Sequence, residues 1–413
     1  MSYLYLLTTF LTGFIVNVWA GWAFRAPMRF PRYGVMVAAV NNRIYAIGGF
    51  GQADTGVRYV EEYNPTLDTW VLKAPMPTPR GGGVCAVVNN KIYVIGGGRT
   101  RNMPVESCEV YDPQTNQWQR RKRLPTRRYG FAGSVIGESI YVVGGFILPH
   151  GGQYTDTVEV YLPSRDSWFV RKSMITPRVE LGCAQVNNKI YAIGGVLYGY
   201  TNANEQYYPD TWIVRRQFPE PRSRHSCAVL NNNVYVIGGR RQQGSNEIIY
   251  ARVDVYNPIL DTWVLSESLN LGRYYAGATV LNGNLYVIGG YGRNIGPVAS
   301  VEQYITTGYE ETNPTQTLNH SLLKVFPNFL RTQTCIWYEL KQNGKVLLSI
   351  YDLKGTLVKT LVNQQQPYGL YTVKWNGTDK SGQRIAQGIY FVKLSITFSN
   401  SRIDAIEKIL VTR

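Results

Sequence analysis

The sequence predicts an all-β fold, a six-bladed β-propeller followed by a small β-sandwich. One observation is a repeat of roughly 50 residues, a period typical of propellers. A second is composition, because aromatic residues make up 13% of the chain and charged residues only 17%, as suits a strand-rich protein. The repeat is marked by six Trp-to-Gly-Gly intervals of 26 residues each, which begin at Trp22, Trp70, Trp118, Trp168, Trp212 and Trp263.

Each repeat reads as four antiparallel strands. A small apolar segment, residues 34–39 in the first repeat, is followed by Asn41-Asn42, a two-residue hairpin signal. An apolar strand then ends in Gly-Gly. The third strand carries an acid two residues before a tyrosine, as Glu61 and Tyr63 do, and the Trp-bearing strand closes the unit.

Six such units resemble the kelch family of β-propellers, over about residues 21–306. The sixth repeat has no Trp after Tyr304, only residues 305–308, whereas Trp22 stands ahead of the first complete repeat. We therefore expect the strand of Trp22 to complete the sixth blade and close the ring. Closure by this N-terminal strand would leave no unpaired sheet edge.

The first 20 residues predict a signal peptide, and hence a secreted or cell-surface protein. Residues 4–18 are largely apolar, and Val18-Trp19-Ala20 fits cleavage after Ala20, although Lys and Arg are missing from this stretch. A membrane anchor is the alternative, but the stretch is short and interrupted by threonines. We expect no stable membrane span after cleavage.

The predicted domains are the signal peptide (1–20), the propeller (21–308), a polar linker (309–321) and a β-sandwich (322–413). Motifs in the last domain resemble the Ig-like domain of flagellar hook-capping proteins and of C-terminal sorting domains in type IX secretion. The resemblance implies a sorting or a simple terminal module, with secretion machinery as one potential partner. The motifs are Phe326-Pro327-Asn328, residues 350–355, Trp375-Asn376-Gly377-Thr378-Asp379 and Gly388-Ile389-Tyr390-Phe391.

Charge and residue supply exclude several classes of function. The formal net charge of +16 lacks a dense basic run beyond residues 120–123, so we expect no nucleic-acid partner; the charge favours acidic glycans or anionic surfaces, or has no dedicated partner. His150, His225 and His320 are the only histidines, so we predict no metal and no cofactor. Five cysteines do not form a disulfide framework.

Repeated side chains are interpreted as scaffold. An arginine occurs ten residues after every repeat Trp, and a group present in all six blades is better suited to structure than to catalysis. We expect these guanidinium groups to pair with acids or bond to backbone carbonyls. They belong to Arg32, Arg80, Arg128, Arg178, Arg222 and Arg273.

Residues that break the symmetry locate the candidate site. Second-to-third loops and inter-blade connections share one face of a four-stranded meander, and this long-loop face suits a ligand at the central channel. In kelch propellers with known ligands, residues just after the repeated Arg line the channel mouth. The resemblance therefore implies binding by Tyr33, Tyr129, Glu180, Ser223, Arg224, Tyr274 and Tyr275.

The long loops add further candidates. They are Arg99, Arg101, residues 146–154 with His150, Tyr198, Tyr200, Arg240, Arg241, Tyr291 and Arg293.

Tyrosines with one acid and one arginine suit a glycan or an extended peptide. The sequence thus predicts an exported or cell-surface protein that binds a glycan or an extracellular protein. The alternative, implied by kelch-fold relatives, is a sialic-acid mutarotase. In that enzyme Glu180 would be the general base and Arg224 would hold a carboxylate.

Overall fold

The computed structural model describes residues 21–305 and 323–411, except 101–102, 149–151, 327–328, 331–332, 341, 354 and 399–401. They fall into two compact units, one on each side of the gap at 306–322. The predicted signal peptide and the predicted linker lie outside the described residues. Within those residues, no helix combines the length and hydropathy needed to cross a bilayer.

The first unit contains six four-stranded antiparallel sheets, the blades. The chain opens with β1 (Gly21–Arg25). Blade 1 is β2 (Met36–Val40), β3 (Arg43–Ile47), β4 (Val60–Asn64) and β5 (Thr69–Leu72). Blade 2 is β6 (Val84–Val88), β7 (Lys91–Ile95), β8 (Cys108–Asp112) and β9 (Gln117–Arg121).

Blade 3 carries an added hairpin. It runs β10 (Ala132–Ile136), β11 (Ser139–Val143), the hairpin β12 (Phe146–Ile147) and β13 (Gln153–Tyr154), β14 (Val158–Leu162), a 3-10 turn (Pro163–Arg165) and β15 (Ser167–Arg171). Blade 4 is β16 (Gly182–Val186), β17 (Lys189–Ile193), β18 (Asn204–Tyr207) and β19 (Trp212–Val214).

Blade 5 also has a hairpin. Its strands are β20 (Ser226–Leu230), β21 (Asn233–Ile237), the hairpin β22 (Arg240–Gln243) and β23 (Asn246–Ile249), β24 (Val253–Asn257) and β25 (Thr262–Ser266). The last repeat contributes β26 (Arg273–Tyr274), β27 (Gly277–Leu281), β28 (Asn284–Ile288), β29 (Tyr291–Gly292), β30 (Gly296–Pro297) and β31 (Val301–Ile305).

The N-terminal strand closes the ring, as predicted. Blade 6 has the strand order β1-β31-β28-β27, with Trp22 opposite Tyr304. The innermost strands β2, β6, β10, β16, β20 and β27 contact one another in sequence, and β27 contacts β2. The ring is therefore closed by the hydrogen bonds between β1, at the start of the repeat region, and β31, at its end.

The repeat tryptophans tie each blade to its predecessor. Each indole N–H donates to a backbone carbonyl in the segment that leaves the preceding blade, at 2.8 to 3.0 Å. For example, Trp70 of blade 1 donates to Ala26 O, which follows β1. The other pairs are Trp22–Glu267, Trp118–Ala74, Trp168–Lys122, Trp212–Lys172 and Trp263–Arg216.

The repeated arginines lie inside the blades. Each is buried and forms an ion pair with the third-strand acid of its own blade. Arg32, for example, also donates to the backbone carbonyls of Ala46 and Tyr59. The pairs are Arg32–Glu61 (2.9 Å), Arg80–Glu109 (2.5 Å), Arg128–Glu159 (2.6 Å), Arg178–Glu205 (3.3 Å), Arg222–Asp254 (2.8 Å) and Arg273–Glu302.

The second unit is a β-sandwich. One sheet has the order β32-β34-β37 and the other β33-β39-β38-β35-β36. Ile350, Trp375, Val392 and Ile409 are among its buried core residues. Its strands are β32 (Leu323–Phe326), β33 (Phe329–Leu330), β34 (Thr334–Leu340), β35 (Gly344–Asp352), β36 (Leu357–Gln366), β37 (Gly369–Trp375), β38 (Gly388–Thr397) and β39 (Arg402–Val411).

Candidate functional site

Six equivalent residues surround one end of the central channel, each just before an innermost strand. We call them the mouth ring. All six have left-handed backbone, with φ between 50° and 67°. Glycine adopts this conformation without strain, whereas other residues rarely do. Blades 1 to 3 place glycine here, and blades 4 to 6 place larger residues: Gly34, Gly82, Gly130, Glu180, Arg224 and Tyr275.

The long loops hold the ring in place. In every blade, the residue before the mouth-ring position forms an antiparallel β-bridge with the residue that directly follows Gly-Gly. Tyr33 pairs in this way with Phe50, Tyr129 with Phe146 and Ser223 with Arg240. The ring therefore lies where the long loops begin, on the face that the sequence argument favours for a ligand.

Glu180 accepts hydrogen bonds from three neighbours that belong to blades 5 and 6. Its Oε1 lies 2.5 Å from Arg224 Nη2 and 3.4 Å from the Tyr275 hydroxyl. Its Oε2 accepts from Ser223 Oγ at 2.9 Å. A carboxylate has about four acceptor positions, so the protein fills most of them.

Two tyrosines cover the Arg224 guanidinium. Its Cζ lies 4.8 Å from the ring centroid of Tyr275 and 5.7 Å from that of Tyr274, so both contacts are of cation–π type. Burial works against the charged form of Arg224, but the negative charges of its neighbours, Glu180 among them, outweigh it and raise the pKa of Arg224. Arg224 therefore remains charged, and it forms an ion pair with Glu180 at 2.5 Å.

An aromatic row leads outward from this pair along blades 3 and 4. The ring centroids of Tyr129 and Phe146 are 5.5 Å apart, those of Phe146 and Tyr154 are 5.2 Å apart, and those of Tyr154 and Tyr198 are 5.3 Å apart. Burial, and then the charge of Glu180, raise the pKa of Tyr129, and Gly130, which directly follows Tyr129, accepts the Glu180 N–H at 2.6 Å.

Tyr198 ends the row at the loop surface. Its side chain is 92% exposed, and its backbone is left-handed with φ of 56°. A bulky residue in this conformation costs about 1–2 kcal/mol, and its exposure provides little packing energy in return. Such a residue is a candidate for ligand contact.

The structure brings together the predicted mouth residues but gives them different roles. Ser223, Tyr33 and Tyr274 are buried, and the Tyr33 hydroxyl donates to Asp54 at 2.7 Å. Glu180, Arg224, Tyr275 and Tyr129 are partly exposed. Phe50 and Asp54 also belong to this assembly, and the sequence reasoning missed them because nothing in the repeat pattern distinguishes them.

The loop candidates are distributed around the same face. Tyr291 stacks on Tyr274, with centroids 5.2 Å apart, and Arg240 lies over the ring of Tyr274 and pairs with Glu247 at 2.6 Å. Arg241 pairs with Glu220 at 3.3 Å. Arg101 and His150 lie outside the described residues.

Among the residues that the structure describes, titratable groups near the mouth do not form a metal centre. Burial and the nearby Arg222 charge lower the pKa of His225 to about 3, and its Nε2 lies 3.1 Å from Ile193 O. Within the described ranges, no three His, Cys, Asp or Glu side chains are grouped so that they could hold a metal ion. Cys85, Cys183 and Cys227 lie on innermost strands as free thiols, and burial raises their pKa values.

Comparisons with known proteins agree with this architecture. A model described as the KLHDC2/KLHL20/DRC7 Kelch-repeats domain matches residues 3–145, and the Kelch motif matches residues 127–175, 221–270 and 272–309. The FlgD Ig-like domain matches residues 337–399. Among curated proteins, none matches the chain.

One similar solved structure is titled "Structure of YjhT". It is 18% identical to this chain, with a TM-score of 0.58, and the match covers 67% of this chain and 95% of that one. Identity at this level shows the fold alone. Together with the repeat geometry, these matches show that the chain belongs to the kelch-repeat β-propeller family and carries an FlgD-type Ig-like domain after the propeller.

Proposed function

We propose that the propeller binds a carbohydrate at the mouth ring and along the aromatic row of Tyr129, Phe146, Tyr154 and Tyr198. The observation that carries this proposal is Tyr198. It is exposed, has a costly backbone conformation and is linked by ring contacts to Tyr129, whose neighbour Gly130 accepts the Glu180 N–H. The apolar faces of sugar rings stack on aromatic side chains.

The polar part of the mouth also suits an uncharged, hydroxyl-rich ligand. Glu180 and Arg224 offset each other's charge. The Glu180 carboxylate keeps about one acceptor position that neighbours do not fill. Hydroxyl groups both donate and accept, so they can bond at such a site without the desolvation cost that an ion would bring.

The same contacts favour binding over catalysis. A general base must reach the proton that it removes, whereas three neighbours already donate to Glu180. For the mutarotase alternative, a substrate carboxylate would also have to reach Arg224 Nε or Nη1, which have no hydrogen-bond partner among the described residues but are buried. Binding requires neither a free Glu180 carboxylate nor access to these atoms.

A glycan array tests the proposal, with the purified full chain compared with Tyr198→Ala. Tyr208→Ala is the matched control, because Tyr208 is also exposed but lies in the short turn between β18 and β19, away from the long loops. We expect a defined glycan signal that Tyr198→Ala weakens and Tyr208→Ala retains. A blank array, or equal loss in both variants, would contradict carbohydrate binding at this face.

We also propose that the protein acts outside the cell or at its surface. The support is the apolar stretch at residues 4–18 with its small-residue cleavage pattern. The C-terminal Ig-like domain is a candidate contact for secretion machinery. N-terminal sequencing of the protein recovered from culture medium or the cell surface tests this proposal, with Gly21 expected as the first residue.

A further inference from the structure

The mouth ring is held by backbone hydrogen bonds that run from blade to blade, and this series has one gap. In five of the six positions, the backbone N–H of the mouth-ring residue donates to the backbone carbonyl of the mouth-ring residue in the preceding blade, at 2.6 to 3.0 Å. The donors are Gly34, Gly82, Glu180, Arg224 and Tyr275. The sixth bond, from Gly130 N–H to Gly82 O, is not formed among the described residues.

The gap leaves one backbone donor and one backbone acceptor at the channel mouth. Neither Gly130 N–H nor Gly82 O has a hydrogen-bond partner in the described part of the chain. Both glycines are partly exposed, so solvent reaches them. Backbone N–H and C=O groups are strong hydrogen-bonding groups. A ligand that covers them must supply the hydrogen bonds that water makes in the free protein.

Space is available on the Gly82 side of the gap. A Cβ added at Gly82 would meet only Phe50, at 3.6 Å, whereas one added at Gly130 would clash with Val179. Tyr129, which begins the aromatic row, directly precedes Gly130, and Glu180 N–H donates to Gly130 O at 2.6 Å. The gap therefore lies within the glycine half of the mouth, and its Gly130 side is bonded to the half that carries Glu180 and Arg224.

We propose that this gap binds the acetamido group of an N-acetylated sugar, an inference that rests on the proposed carbohydrate function. A secondary amide carries one acceptor and one donor. Its carbonyl would accept from Gly130 N–H, and its N–H would donate to Gly82 O. The two backbone groups of the gap are uncharged, as an amide is, and a sugar stacked on the aromatic row would carry its substituent toward Gly130.

Two oligosaccharides that differ in this group provide the test. Chitotriose has acetamido groups where cellotriose has hydroxyls. We expect the full chain to bind chitotriose at least about tenfold more tightly than cellotriose. A difference of this size is typical when a ligand leaves buried polar groups unpaired. Equal affinity for both would overturn the acetamido inference while leaving carbohydrate binding in place. Failure to bind either, together with a glycan-array signal from another sugar, would overturn the acetamido inference alone, whereas the same failure with a blank array would remove the proposed function as well.

Hydrogen exchange at single amides locates the contact. In the free protein we expect the Gly130 amide to exchange faster than the other five ring amides, because it alone lacks a ring acceptor. Saturation with chitotriose should slow exchange at Gly130, and cellotriose should not. Tighter chitotriose binding without protection of Gly130 would overturn the assignment of the gap as the amide site.

A substitution at the gap gives a second readout. Gly82→Asn introduces a side chain at the gap, and asparagine tolerates left-handed backbone. The control is Gly137→Asn, because Gly137 is also left-handed, has open space around it and lies in a β10–β11 hairpin turn where blade 1 has Asn41. We expect Gly82→Asn to remove the preference for chitotriose over cellotriose and Gly137→Asn to retain it, with unchanged unfolding temperatures. A retained preference in Gly82→Asn would contradict the proposal.

Discussion

Arg224 Nη2 and Glu180 Oε1 lie 2.5 Å apart, although the two residues come from adjacent blades and stand 44 positions apart in the chain. Both have left-handed backbone, with φ of 56° and 59°. Residues of this kind cost about 1–3 kcal/mol each unless the surrounding structure holds them, and they concentrate at functional sites. The other half of the ring avoids this cost by using glycine.

Tyr198→Asn should weaken ligand binding without loss of stability. Asparagine adopts left-handed backbone more readily than tyrosine, and the exposed ring contributes little packing. We expect the free energy of unfolding to stay equal or to rise by up to about 1 kcal/mol, while carbohydrate affinity falls. Chemical denaturation and calorimetric titration measure the two quantities. A clear loss of stability would show that Tyr198 has a structural role.

Glu180→Gln and Tyr275→Ala separate binding from catalysis. If the site only binds, the isosteric Glu180→Gln change should reduce affinity modestly, and Tyr275→Ala should reduce it more, because it removes an aromatic surface. If the site catalyses mutarotation, turnover should depend mainly on Glu180. NMR of anomer exchange, with affinity measured on the same variants, distinguishes the two. Mutarotation that is lost in Glu180→Gln at unchanged affinity would overturn the binding proposal.

Arg80→Met should destabilise the propeller strongly. Arg80 and Glu109 are both buried and lie 2.5 Å apart, so removing the arginine leaves a buried carboxylate without its partner. Loss of one member of such a pair costs about 3–5 kcal/mol. The double variant Arg80→Met with Glu109→Gln should recover part of this loss. Equal destabilisation in the single and double variants, measured by chemical denaturation, would contradict the electrostatic explanation.

His225 should make the propeller sensitive to acid. Burial lowers its folded-state pKa to about 3 from an ordinary value of 6.5, so the unfolded chain binds more protons between these pH values. The free energy of unfolding should therefore fall as the pH drops through this window, by at most about 1.4 kcal/mol per pH unit from this group.

The matched variant for this effect is His225→Leu, because blade 4 has Leu181 at the equivalent position. Leucine does not titrate, so we expect a shallower decrease in stability between pH 6.5 and pH 5, measured by denaturation at several pH values. Parallel curves for the two proteins would show that other groups cause the acid sensitivity.

The mouth could be predicted in position but not in detail. The residue two positions after each repeated arginine is equivalent in all blades but differs in type, as Gly34, Glu180, Arg224 and Tyr275 do. The contact between Glu180 and Ser223, the burial of Tyr33 and the gap at Gly82 could not be read in this way. They depend on how neighbouring blades are spaced around the channel.

The sequence by itself determined the all-β class, the six blades, closure by the strand of Trp22 and the separate C-terminal sandwich. These follow from local turn chemistry and from a repeat in which each blade needs a neighbour to bury its faces. The tertiary structure alone decided which side chains meet at the mouth and which backbone bond of the ring is missing. Such contacts join residues of different blades, and small shifts between blades make or break them because hydrogen bonds weaken steeply with distance and angle.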